Sequence, residues 1–115
     1  MKEKRLLSSL REKKRYLVFE VKTKDNFSFA DIKKAIIKSY KDLFGEIGLS
    51  RAGLNFVSFE NNKGIVKVNN RDVNNFKASF CFLRKINKQD VVVRSLGVSG
   101  MLKRARSKFL IGGGL

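Results

Sequence analysis

Histidine and proline are absent from this 115-residue chain, and cysteine occurs once. Without an imidazole there is no histidine general base, no His–Cys nucleophile pair and no histidine-containing zinc site. A single cysteine excludes an internal disulfide and fits a reducing cytosol. Cys81 stands between Phe80 and Phe82 in a helical pattern, so a buried, unreactive thiol is expected there. Acids number only 10 and are scattered, with no recognisable carboxylate pair. Glu20 and Asp25 are expected as solvated partners of nearby lysines. No apolar run reaches the roughly 18 residues of a membrane helix, and Met1–Leu7 has cations with only a short apolar follow-on. Neither a membrane span nor a signal peptide is expected.

What the chain does have is positive charge. Lys and Arg number 26, for a net charge of +16 and a pI near 10.4. Such an excess repels itself unless a polyanion neutralises it, and nucleic acid is the commonest partner of that kind. An anionic membrane or a merely basic soluble protein are the weaker readings. With 43% hydrophobic residues and ten Phe, there is enough apolar material for a core, so a disordered chain is excluded. No repeat or composition break marks a second domain, and residues 1–115 are read as one.

The pattern divides that domain as follows. Residues 1–14 form a basic arm or short helix, and 15–98 a βαββαβ core. A basic helix follows at 99–110, with a loose glycine tail at 111–115. Leu17, Phe19 and Val21 alternate with Tyr16, Val18 and Glu20, which is a strand. Ser28 is an N-cap, with Asp31 near the positive end of the helix dipole. Phe29, Ile32, Ile36, Tyr40 and Leu43 make one helical face, and Lys33, Lys34, Lys38 and Lys41 a solvated one. Gly45 is the expected stop, followed by a loop through Gly48–Gly53. Leu54–Glu60 and Ile65–Asn69 are strands joined by a hairpin turn at Asn61–Gly64. A second helix opens at Asn70–Asp72 and buries Val73, Phe76, Phe80 and Leu83; Asp90–Val98 is the last strand.

This order is the ferredoxin-like, split-βαβ arrangement of the α+β class: a four-stranded antiparallel sheet with two helices on one face, plus extra terminal helices. Strands one and three are its expected centre. An acylphosphatase of this fold needs a phosphate-cradling loop with an Arg after strand one. Thr23-Lys24-Asp25-Asn26-Phe27 has neither glycine nor Arg, which leaves that enzyme reading remote. An RNA-recognition motif stacks bases on aromatics of strands one and three. Here only Tyr16 could do so, and base reading by that face is not expected.

If Leu17, Phe19, Val66 and Val68 face the helices, the other face carries Tyr16, Val18, Ile65, Lys67 and Arg94. Val92 and Leu96 extend its apolar part. An exposed apolar patch marks an interface, so the C-terminal helix or a protein partner is expected to cover it. Tyr16, Val18, Ile65, Val92 and Leu96 are the candidate protein contacts. The candidate RNA contacts are Arg11, Lys13, Lys14 and Arg15, then Arg51, Lys67 and Arg94, then Lys103, Arg104, Arg106 and Lys108 on the C-terminal helix. Such groups bind phosphates, giving affinity and position and no base readout.

Three stretches carry a family resemblance. They are Leu10-Arg11-Glu12-Lys13-Lys14-Arg15-Tyr16 leading into strand one, helix one through Gly45-Glu46-Ile47-Gly48-Leu49-Ser50-Arg51-Ala52-Gly53-Leu54, and Val91–Arg104 with Val98-Ser99-Gly100 before a basic helix. In this order, over nearly the whole chain, they resemble the archaeal and eukaryotic ribonuclease P protein component 2 family, and the short length resembles an archaeal member. Met101 departs from the small hydroxyl residue expected after Ser-Gly, and Gly112–Gly114 has no counterpart. The resemblance implies a non-catalytic subunit of the cytoplasmic particle that removes the 5′ leader of precursor tRNA. Its catalytic magnesium would be held by the RNA, with no cofactor on this chain. Implied partners are ribonuclease P RNA, the TIM-barrel component 3 and the other ribonuclease P proteins. Another structural RNA-binding protein, such as a ribosomal protein, is the alternative.

Overall fold

The computed structural model describes residues 13–24 and 26–107. Arg11, Asp25, Lys108 and the 111–115 tail lie outside the described residues, as does all but the end of the 1–14 arm. The alternating run from Tyr16 builds β1 (Lys14–Lys22), and Ser28, whose hydroxyl accepts from the Asp31 N–H, opens α1 (Phe29–Ala52). Then come β2 (Asn55–Glu60), β3 (Lys63–Asn69), a 3-10 turn at Asn70–Asp72 and α2 (Val73–Phe82). A small hairpin of β4 (Lys85–Ile86) and β5 (Gln89–Asp90) precedes β6 (Val92–Ser99) and α3 (Leu102–Ala105). The four-stranded sheet is antiparallel in the order β2-β3-β1-β6, so β1 and β3 are central, as the ferredoxin-like pattern requires.

The inner face of the sheet carries Leu17, Phe19, Val21, Val66, Val68 and Val93. Against it pack Ile32, Ile36 and Tyr40 of α1 with Val73, Phe76 and Phe80 of α2. Phe19 stacks on Phe59 at 6.0 Å between centroids and meets Phe80 at 5.9 Å, which in turn meets Phe76 edge-on at 4.8 Å. Gly64 makes room for this: a Cβ there would come within 2.6 Å of the Phe19 ring. The two helices are also tied by the Ser39 hydroxyl, which donates to the Ser79 carbonyl at 2.8 Å.

Two β-bulges shape the outer face. Pairing shifts between Phe56 and Ser58 and between Val18 and Phe19, which leaves Val57 and Leu96 as the extra residues. Both then point outward with Val18 and Ile65, where Leu102 and Ala105 of α3 lie over them. The chain's own C-terminal helix is therefore the cover. Val18 and Ile65 are fully buried beneath it, which corrects their reading as contacts for a separate protein.

Four local expectations change. Gly45 (φ 76, ψ 176) leaves helical geometry where the stop is expected and kinks α1, but a second helical segment follows in place of the expected loop and stops at Gly53, which takes the left-handed cap conformation (φ 60, ψ 44). The hairpin β4–β5 carries no glycine, and its turn is made by Asn87 and Lys88 at positive φ, just as Asn61 and Asn62 turn β2 into β3. It displaces the start of the last strand from Asp90 to Val92. Cys81 is exposed, because Val73, Phe76 and Phe80 fix the inner phase of α2 and turn residue 81 outward.

Candidate nucleic-acid interface

Basic residues from separate elements meet at one end of the sheet. The Asn70 N–H donates to the Lys13 carbonyl at 2.7 Å, fastening the start of β1 to the end of β3. Arg15 Nε donates to Asn70 Oδ1 at 3.1 Å, which orients the guanidinium without neutralising it. The same guanidinium lies over Gly100, where a Cβ would be 2.6 Å from it. The side-chain amide of Asn69 donates to the Arg51 carbonyl, joining β3 to the C-terminus of α1. Lys14 Nζ folds onto Gly53 beside it, at the negative end of that helix dipole. Asn69 is buried, and its Oδ1 has no hydrogen-bond partner among the described residues.

Lys13, Lys14, Arg15 and Arg51 are thus brought together, and Arg71 on the 3-10 turn joins them. Arg71 escaped the sequence reading, because Asn70-Arg71-Asp72 presents itself as a helix start; it pairs with Asp72 at 3.4 Å. The C-terminal cluster is adjacent. Tyr16 pairs with Ser99, and Arg15 lies over Gly100, immediately before α3. On α3 the spacing of Leu102 and Ala105 turns Lys103, Arg104 and Arg106 to solvent. The α3 entry is held by the Ser99 hydroxyl, which accepts from the Met101 N–H at 3.1 Å, so the serine supplies the local capping bond that Met101 lacks.

The remaining candidates differ in kind. Lys67 Nζ sits 5.9 Å from the centre of the Tyr16 ring, a cation–π arrangement on the outer face. Tyr16 is itself partly covered by the α3 cluster. Arg94 is ion-paired across strands to Glu20 at 3.0 Å, so its charge is already compensated and Glu20 has an arginine where lysines were expected. Leu96 is half-buried in the α3 cluster, whereas Val92 is 60% exposed at the far end of β6. Arg94 and Val92 stand apart from the basic end.

A family model described as the Rpp14/Pop5 family matches residues 15–110, nearly the whole described chain. The chain belongs to the Rpp14/Pop5 family. It is similar to ribonuclease P protein component 2 of Methanosarcina mazei, 42% identical over 107 residues, covering 93% of this chain and 92% of that one. The protein of the same description from Thermococcus kodakarensis is 37% identical over 111 residues, covering 95% and 92%. A chain in the cryo-EM structure of yeast ribonuclease MRP superposes with a TM-score of 0.67 over 80% of this chain and 77% of that one, at 15% identity. At that identity the likeness shows the fold alone. The Rpp14/Pop5 match takes in Arg15, Arg51, Arg71 and the Ser99–Arg106 segment of the basic end, and begins just after Lys13 and Lys14.

Proposed function

We propose that this chain is a non-catalytic protein subunit of ribonuclease P that binds and stiffens the catalytic RNA. Family membership supports the particle, and the basic end supports the mode of action. Lys13, Lys14, Arg15, Arg51 and the outward face of α3 present cations from separated parts of the chain at one end of the sheet. Each phosphate they neutralise releases counterions, which gives sequence-independent affinity. Arginine adds bidentate geometry, which holds a phosphate in one orientation. Repulsion between folded RNA segments then falls, and the RNA keeps the geometry in which it holds its magnesium ions. This chain supplies no histidine and only scattered acids, so the metal chemistry is assigned to the RNA. The TIM-barrel component 3 and the other protein subunits are the expected partners, precursor tRNA the substrate of the particle, and the cytoplasm its place.

Reconstitution tests this. The chain, the component 3 subunit and the cognate RNA should cleave precursor tRNA at lower magnesium than the RNA alone. An unchanged magnesium requirement would overturn the reading.

A further inference from the structure

A groove of about 610 Å³ lies between the N-terminal half of α1, the end of α2 and the β4–β5 hairpin. It belongs to the helical layer, with α3 on the opposite side of the sheet. Its lining runs along α1 from Asp31 to Leu43, whereas the basic end gathers at Arg51, beyond the Gly45 kink. The floor is apolar, formed by Leu43, Phe82, Leu83 and Ile86. Phe82 is 66% exposed, an aromatic ring that the fold itself leaves in water. Lys34, Arg84 and Lys85 stand on the rim. Asp31 also lines the groove, the Lys38–Asp42 pair at 3.0 Å neutralises itself and Lys85 reaches Asp90 at 3.7 Å, so the lining keeps a small excess of cations.

We propose that this groove receives an acidic segment of a protein partner with apolar anchor residues, Phe82 and Leu43 meeting the anchors while Lys34 and Arg84 meet carboxylates. Charge complementarity carries the choice. A basic rim around an apolar floor selects a segment that alternates carboxylates with large apolar side chains. RNA would use the cations but would leave most of the floor uncovered. A single ring offers one stacking position, whereas the cations of the basic end are more numerous and less compensated. The proposal rests on the particle reading, since the partner is one of its protein subunits.

The one cysteine provides the reporter, because Cys81 is exposed and adjoins Phe82. Alkylation of Cys81 by N-ethylmaleimide is followed in the full-length chain alone, with the purified protein subunits, and with the catalytic RNA. The protein subunits should slow alkylation at least tenfold, and the RNA should leave it unchanged. Phe82→Ser and Arg84→Glu, both at exposed positions, should each remove most of that protection without moving the melting temperature. Protection by RNA and not by protein would assign the groove to nucleic acid and overturn the proposal. So would a rate unaffected by the protein subunits, or protection that survives both substitutions. Cleavage of precursor tRNA is measured in the same reconstitution, so an active particle with an unprotected Cys81 overturns the groove assignment alone. An inactive one overturns the particle reading beneath it.

Discussion

The two faces of the sheet are covered in opposite ways. The inner face lies under α1 and α2, and Phe19 of the sheet meets Phe80 of α2 between the layers. The outer face lies under α3, and its fully enclosed part among the described residues is Val18, Ile65 and Ala105. Isolated helical turns are marginal in water, so α3 depends on what it packs against. It is held by the apolar patch that the two bulges complete with Val57 and Leu96. Stability is therefore concentrated on one face, while the cations of Lys103, Arg104 and Arg106 ride on the more weakly fastened cover of the other. Cations that must reach a phosphate lattice gain from this placement, because their support can adjust without disturbing the core.

The inner face gives the largest expected effect. Phe76→Ala leaves a cavity between α1, α2 and the sheet, and should cost about 3–5 kcal/mol in chemical denaturation. A loss under about 1 kcal/mol would erase the asymmetry. On the outer face, Ala105→Asp places a carboxylate in a fully buried site, and α3 should lift off. Hydrogen exchange should become fast at residues 102–105 and stay slow in β1 and β3, with RNA binding weakened and the fold retained. Global unfolding by this substitution would show the outer cover to be as integral as the inner one.

At the basic end, changing Lys13, Lys14 and Arg15 together to Ala should flatten the dependence of RNA affinity on salt. The slope of log K against log salt should fall by up to about three phosphates' worth. An unchanged slope would remove these three residues from the phosphate contacts.

The smallest effect concerns Tyr40, whose phenol is pushed above its ordinary value of 10.0 by burial, with the Asp72 charge adding and an Asn75 hydrogen bond opposing. The folded state then keeps a proton that the unfolded chain loses, so stability falls as pH rises above about 10. Tyr40→Phe should reduce that fall, as read from melting temperatures on either side of this value. An identical pH profile would mean that inner-face burial is not what holds the phenol neutral.

Much of the fold was legible because its signals are local. Alternation from Tyr16 to Val21, the Ser28 cap and the spacing of Ile32, Ile36 and Tyr40 each act within a few residues. The misreadings occurred where local signals are ambiguous. Gly45 can end a helix or kink it, and the difference lies in whether the following turn finds something to pack on. Here Leu49 and Ala52 pack into the core and the helix resumes. The β4–β5 turn uses Asn87-Lys88 in place of the usual Asn-Gly signal. Cys81 was placed by its apolar neighbours, although helical phase put both it and Phe82 outside.

The candidate site was legible in residue type and only partly in grouping. Arg15 and the α3 cations could be expected to share a border, but Arg71 at the same end and the Glu20 clamp on Arg94 could not. Charge pairing across strands depends on register, and a single bulge resets it.

By itself, the sequence determined the fold class, the polyanion-directed charge and the absence of imidazole chemistry, because composition and short-range periodicity survive any packing. Only the tertiary structure decided which cations stand together, that the chain's own helix covers its outer sheet face, and that an apolar groove with a basic rim opens on the helical layer. Those features depend on contacts between residues tens of positions apart, whose geometry is set by strand register, two bulges and one helix kink.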